Sequence, residues 1–589
     1  MQFFEQLVNT VSRLVWEEGI PMGGEEIPFV VVALLGVGIF LTVRMGFVQI
    51  RHFFHGAAVA SGKYDDPEDT GDVTHFQALT TALSATVGIG NIAGVAIAIH
   101  WGGPGALFWM WVTAFLGMAT KFTEVTLAQH YREVVEPDAQ AHRWEGTVSG
   151  GPMYYIERGL GARWRWLALL FAILLGITAF LTGNGIQANT VADAMQTNFG
   201  IPPWMSGLVT TAVVGAVILG GITRIGRVTG VLAPLMAAIY VLGALWIILV
   251  NVDQLIPSIA LIFREAFNPS AGVAGTGVGA FLVTMMWGVR RGLFSNEAGQ
   301  GSAPIAHAAA KTEEPVSEGV VALLEPFIDT IVICTITAMV IIMTGVWDDR
   351  VPTAVTLQGG DLSYRTLETE SGYVQIDVPE EIRIENGEYV SQEEGDPLVA
   401  WHEAPVDELY EDPAMTRPFT GTVYGLRGEA VSVGGETFTT LHGLAAESGA
   451  PLTMLGFQRG LPGRWGDYIV ILSVLLFAIS TSISWSYYGD RCAYYVLGAD
   501  SVLPYKLVFL LAHFLGALVS LEVAWTLGDT FLGLVILPNL VALMLLSGKV
   551  KEILESYFER EAWRPDAEPH RRWAERRAAE RASRSERSE

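Results

Sequence analysis

Eleven apolar stretches run through the chain, at approximately 26–49, 75–98, 104–129, 165–187, 204–220, 228–250, 275–295, 318–346, 466–487, 503–521 and 525–546. A hydrocarbon core roughly 30 Å thick is crossed by about 20 residues of helix, and only a helix satisfies its own backbone hydrogen bonds there. Gly, Pro or charge separates each stretch from the next. Hydrophobic residues make up 51% of the chain and charged residues 16%, so lipid is its main solvent. The expectation is an all-α polytopic protein of the cell (inner) membrane with about 11 transmembrane helices.

Lys and Arg resist translocation, so short loops that carry them are placed in the cytoplasm. They sort by alternate loops: Arg51 and Lys63; Arg132, Arg143, Arg158, Arg163 and Arg165; Arg224 and Arg227; Lys311; Arg491 and Lys506; Lys549 and Lys551. The intervening loops near 99–103, 188–203 and 522–524 have none, and 251–274 has only Arg264. This sets the N-terminus outside and the C-terminus in the cytoplasm. Residues 1–25, with Glu5, Arg13, Glu17 and Glu18 among apolar positions, read as an external interfacial amphipathic segment rather than a cleaved signal peptide. Residues 26–346 hold the first eight spans and 466–547 the last three, with a cytoplasmic tail at 548–589.

Between them lies an extracytoplasmic insert, 347–465, with 21 Asp/Glu against 7 Arg and no Lys, which supplies much of the net charge of −25. Apolar and polar residues alternate over Tyr373–Val378 and Ile382–Ile384, Asn386-Gly387 signals a hairpin, and Thr422–Thr439 suggests a second. A small β-rich module is expected, its acidity read as a solvated face. Cys334 and Cys492 support neither a disulfide framework nor a metal cluster, and the histidines, His100 among them, lack metal-ligand spacing.

Two spans are punctuated by glycine: the second at Thr86-Val-Gly-Ile-Gly-Asn91, the seventh at Phe294-Ser-Asn-Glu-Ala-Gly-Gln-Gly301. Small residues also serve helix packing. Placement favours a site: without the first span, these two open successive sets of five, and five is odd, so the halves enter the membrane from opposite sides. That is the topology of an inverted repeat whose binding site lies where broken helices expose amides and carbonyls. A dinucleotide reading of Gly88-Ile89-Gly90 fails for want of a βαβ unit and a third glycine, and no phosphate-binding loop is present. No nucleotide or nucleic-acid partner is expected, and no nucleophile–base pair suggests an enzyme.

The chain resembles the alanine or glycine:cation symporters, also called the sodium:alanine symporter family. The resemblance rests on Val87-Gly-Ile-Gly-Asn-Ile-Ala-Gly-Val95, Gly102-Gly-Pro-Gly105, Met118-Ala-Thr-Lys-Phe122 with Glu124, and Gly150-Gly-Pro-Met-Tyr-Tyr155. It continues through Gly183-Asn184 with Gln187, Arg291-Gly-Leu-Phe-Ser-Asn-Glu-Ala-Gly299, Ser480-Thr-Ser482 and Tyr487-Tyr-Gly-Asp490, leaving out the insert and tail. It implies the five-plus-five fold of the bacterial leucine transporter with one extra N-terminal span. It also implies symport of a small neutral amino acid with Na⁺ by alternating access.

On that resemblance the substrate carboxylate is expected at the amides of Ile89 and Gly90, where a half-helix N-terminus is positive. The ammonium is expected at Gly299, Gln300 and Gly301, with Gln187 a polar ligand and Phe294 a wall. Ile89 is apolar where family members carry a hydroxyl, and Gln300 stands where Met or Leu is common, so alanine, glycine and glutamine all stay open. Na⁺ is expected among Ser84, Val87, Ala478, Thr481 and Ser482, with a possible second site at Thr86 and Asn91. The bland reading of those hydroxyls is bonding back to i−4 carbonyls. Lys121, Glu124, Arg290, Arg291, Glu297, Glu325 and Asp329 are expected as structural ion pairs or gate residues. The rival readings are a proton-coupled carrier titrating at Glu297, Glu325 or Asp329, and a membrane receptor or sensor.

Overall fold

The computed structural model describes residues 10–16, 18–22, 25–66, 68–135, 146–269, 278–358, 362–368, 372–391, 393, 395–402, 404–519, 522–564, 567–568, 572–573 and 576. Each of the eleven stretches is largely helical, the second on both sides of a break at Val87–Gly88. Six helices are long and apolar enough to cross a membrane: Ala162–Phe199, Gly221–Val250, Pro315–Met343, Trp465–Leu497, Ala499–Gly516 and Leu527–Glu559. The pair His75–Thr86 and Gly90–Gly102 makes a seventh if counted as one span bent by 55°. Phe29–Arg44 and Pro203–Ile218 are shorter apolar helices. Ala106–His130 and Val278–Asn296 carry the other two stretches, and charge lies inside both: Lys121 and Glu124 in one, Arg290 and Arg291 in the other. The molecule is an integral membrane protein of many helices.

The second span shows why the chain breaks where it does. Thr74 and Gln77 form a reciprocal capping box that starts His75–Thr86. The helix ends at Val87, and the chain resumes as a wide π turn over Gly90–Gly94. The Gly88 amide, released from the helix, donates to Asn91 Oδ1 at 2.8 Å. In the seventh span three residues of five take positive φ: Glu297 at 55°, Gly299 at 94° and Gly301 at 76°. Glycine adopts this freely and glutamate at a cost. Two further π turns, Leu181–Gly185 and Phe327–Cys334, lie in the fourth and eighth stretches.

Among the described residues, the module of the insert runs from Arg350 to Ala446 and is built of antiparallel pairs. Arg350–Thr356 pairs with Thr440–Ala446 as a two-stranded stalk. The Asn386-Gly387 turn joins Ile382–Glu385 to Glu388–Tyr389 with φ of 53° and 88°, as its sequence demands. Val355, Tyr364, Ile384, Phe419, Val423 and Leu441 share the module's own core. The last part of 347–465 differs from a β reading. Gly449–Gly460 is a helix, and Thr453 Oγ1 donates to Ile92 O at 2.9 Å, which ties it to the bent span.

The N-terminal segment also departs from a purely interfacial helix. Residues 10–16 are helical, and Gly19–Met22 pairs with Glu25–Pro28 as a hairpin. Val15 and Trp16 are buried, with Trp16 Nε1 donating to Asp529 O at 2.9 Å. Residues 1–9 lie outside the described residues, as does most of the tail beyond 564.

Candidate functional site

The two breaks meet. Thr86, Gly88, Ile89 and Gly90 from one, and Phe294, Glu297 and Gln300 from the other, line a single narrow cavity with Thr182, Gln187, Thr481, Trp485 and Leu532. Its volume of about 20 Å³ is room for a single water. An added Cβ on Gly90 would lie 3.0 Å from the Phe294 ring, and one on Gly88 2.8 Å from Thr481 Oγ1. Glycine is what lets the bent backbone come this close to both neighbours.

Three polar atoms around this cavity are buried and, among the described residues, have no hydrogen-bond partner: Thr182 Oγ1, Gln187 Oε1 and Gln300 Oε1. Gln187 spends only its Nε2, on Thr182 O at 3.1 Å, and Gln300 only its Nε2, on Leu293 O at 3.4 Å. A buried acceptor left unpaired costs about 1–3 kcal/mol. Two amide oxygens in that state beside one cavity suit a cationic donor such as an ammonium.

Gly299 and Gly301 are not brought to this cavity. The Gly299 carbonyl accepts from Asn539 Nδ2 at 2.9 Å, and Gly301 packs against Pro152 and Phe171. The acceptors beside the cavity come from side chains instead. Glu297, expected in an ion pair or gate or as the titrating group of a proton-coupled carrier, also lines it, its carboxylate accepting from Ser302 Oγ. Thr182, Trp485 and Leu532 had no signal of their own in the sequence, except that Thr182 adjoins Gly183-Asn184.

Beside the cavity, Thr481 Oγ1 reaches Ser84 O at 3.1 Å and Ala85 O at 3.4 Å, and Ser480 Oγ reaches Ser84 O at 3.4 Å. Ser84 Oγ and Ser482 Oγ are buried and, among the described residues, unpartnered. Ala478 packs with Ile89 and Ala93. This oxygen-rich contact between the second and ninth stretches fits a hard cation. Val87 is the last residue before the break, its amide on Leu83 O at 2.7 Å.

Thr86 and Asn91, the possible second ion site, both make hydrogen bonds within the protein. Thr86 lines the cavity, but its hydroxyl bonds back to Ala82 O and Leu83 O. Asn91 is fully buried; its Nδ2 donates to Asp329 Oδ1 at 2.7 Å and to Ser295 Oγ at 3.0 Å, while its Oδ1 serves Gly88. Its amide staples the first break to the second and to the eighth stretch. Side chains from positions 91, 295 and 329 meet there, which spacing along the chain does not reveal.

The intramembrane charges form a buried chain. Lys121 Nζ lies 2.9 Å from Glu325 Oε1, both fully buried. Glu325 Oε2 faces His307 Nε2 at 3.5 Å, and Glu318 binds both His307 Nδ1, at 2.5 Å, and His75 Nδ1. Glu124 accepts from Asn539 Nδ2 at 2.5 Å. Arg290 pairs with Asp529 at 3.2 Å on the edge of a second small space that shares Phe294, Gln300 and Leu532 with the first.

The sodium:alanine symporter family profile matches residues 1–377 and 430–570, which leaves 378–429 of the β module outside it. The sodium/alanine symporter AgcS of Methanococcus maripaludis is 38% identical over 559 residues, covering 94% of this chain and 98% of the relative. The putative sodium/proton-dependent alanine carrier YrbD of Bacillus subtilis is 32% identical over 539 residues, covering 90% and 89%. The probable sodium/glutamine symporter GlnT of the same organism is 30% identical over 558 residues, covering 94% and 91%. With a profile match over most of its length and breaks that converge on one cavity, the chain belongs to the sodium:alanine symporter family.

Proposed function

We propose that the chain is a secondary active carrier that brings a small neutral amino acid into the cell together with Na⁺, by alternating access at the cavity between the two breaks. The observation that carries this reading is the set of buried oxygens on Gln187, Gln300 and Thr182, unpartnered among the described residues, whose side chains line one cavity with Ile89 and Gly90. The substrate carboxylate meets the amides of Ile89 and Gly90, and its ammonium meets the two glutamine oxygens, with Glu297 close by. Na⁺ sits at the Ser84 carbonyl with Thr481 and Ser482, where a zwitterion's carboxylate adds to the field. The relatives' names, sodium/alanine and sodium/glutamine symporter, support the substrate class and the ion.

In this reading eleven spans form one leading helix and an inverted five-plus-five repeat, with the N-terminus and β module outside and the C-terminus in the cytoplasm. One charge moved through 100 mV supplies about 2.3 kcal/mol. Proteoliposomes made with the protein are expected to take up radiolabelled alanine when Na⁺ is supplied outside, and to lose that uptake when K⁺ replaces Na⁺ at fixed pH. Undiminished uptake in K⁺ refutes sodium coupling. It would favour proton coupling instead, the reading that Glu297 in the cavity lining and the name of YrbD support.

Gln300 also bears on which amino acid is carried. A polar arm there suits a larger or more polar substrate than a Met would. Gln300→Met is expected to shift competition in a panel of glycine, D- and L-alanine, serine and glutamine toward the smaller apolar members, glutamine losing most. An unchanged order of competitors removes Gln300 from the pocket.

A further inference from the structure

Outward of the cavity, in the proposed orientation, a series of rings and guanidinium groups follow one another. Arg365, in the β module and 7% exposed, lies over the Trp101 ring at 5.7 Å. Trp101, at the outer end of the bent span, stacks on Trp287 with centroids 5.4 Å apart and planes within 8°. The Trp287 ring is covered by Arg290 and Arg291, each at 5.3 Å. Arg290 also lies 4.8 Å from the Trp16 ring, and Arg291 lies 5.6 Å from the ring of Phe294, which walls the cavity.

A second contact runs beside the first: His100 Nε2 hydrogen-bonds His402 O of the module at 2.9 Å. The module is joined to the bundle covalently only through its two-stranded stalk, so these contacts decide how it rests on the bent span. The exit strand leads into helix Gly449–Gly460, whose Ala450 packs against Ile89 and Ala93 at the site. The module therefore bears on the site from two directions, one of them through a stack of planar groups.

We propose that Arg365 is a positioning residue for the carrier, holding the outer half of the bent span against Trp287 and so favouring the closed form that grips the substrate. The inference rests on the transport reading above. Arg365 acts through Trp101, Trp287 and Arg291 on Phe294 and touches no substrate. Loss of the contact lowers the share of the closed form, which weakens apparent affinity in proportion. Lysine keeps the charge but not the flat face that stacks on a ring. The exposed Arg427, which lies over Tyr424 in the same module, serves as a control for charge alone.

In proteoliposomes, Arg365→Ala is expected to raise the KM for external alanine about 3- to 30-fold, the range one desolvated cation–π contact allows, with maximal rate within about twofold. Arg365→Lys should fall between Arg365→Ala and the parent, and Arg427→Ala should leave KM unchanged. A role in folding alone would lower the maximal rate and spare KM. Hydrogen exchange over residues 90–102 in detergent gives a readout independent of flux, and Arg365→Ala is expected to speed it. Unchanged exchange overturns the proposal, as does an unchanged KM or an equal effect of Arg427→Ala. Absence of any uptake by the parent protein sinks the transport reading, and the exchange measurement still decides whether Arg365 holds the bent span.

Discussion

Lys121→Met is expected to destabilise the protein by about 3–5 kcal/mol, the cost of leaving a buried carboxylate without its partner. Lys121 and Glu325 are both fully buried, 2.9 Å apart, and Glu325 faces His307 on its other side. In a medium that excludes water the orphaned carboxylate finds no solvent to replace the ammonium. Removing both charges is a different matter. Lys121→Met with Glu325→Leu exchanges an ion pair for apolar contact, and the double variant is expected to recover more than half of the loss. Thermal unfolding midpoints of the three purified variants in detergent check this. A double variant no better than Lys121→Met alone would mean that pairing is not what these charges contribute.

Gly88→Ala is expected to weaken Na⁺-dependent alanine binding by roughly 5- to 150-fold, the equivalent of about 1–3 kcal/mol of overpacking. The new Cβ would lie 2.8 Å from Thr481 Oγ1, and that hydroxyl is held on Ser84 O at 3.1 Å. Relieving the clash turns the hydroxyl away from the proposed ion site. Six residues on, Gly94→Ala provides the contrast. Its Cβ would meet only Arg291 Cδ, at 3.8 Å, which is ordinary contact, and binding is expected to stay within about twofold. Scintillation proximity binding over a Na⁺ series separates the two, and equal losses at both positions would show that crowding at Thr481 is not the cause.

Much of this was legible in the residues alone because membrane burial writes long, local signals. Twenty apolar residues in a row, a glycine pair inside a span and an Asn-Gly between alternating strands each act within one segment, and each lies where its pattern put it. The contacts that turn two breaks into one site are not local. Asn91 looks like a free polar ligand until Asp329 and Ser295 are seen to hold its amide. Gly299 looks like a spare carbonyl until Asn539 is seen to take it.

Glu297 sits in a run that reads as a break, yet nothing in its spacing says that the left-handed turn aims it at the cavity. The helix Gly449–Gly460 was hidden for another reason. Its 12 residues are too few and too mixed to stand out from an acidic, β-patterned insert. Trp16 is similar: one aromatic near a terminus carries no hint of Asp529, more than 500 positions away.

The bent second span and the left-handed turn of the seventh are expected to hold the zwitterion and its ion between them. A density map of the protein with alanine and Na⁺ bound tests this most directly. The expected map has the carboxylate at the amides of Ile89 and Gly90, the ammonium within hydrogen-bond reach of the Gln187 and Gln300 oxygens, and the ion beside Thr481. Alanine density away from these residues, or two straight helices where the breaks are drawn, contradicts the account.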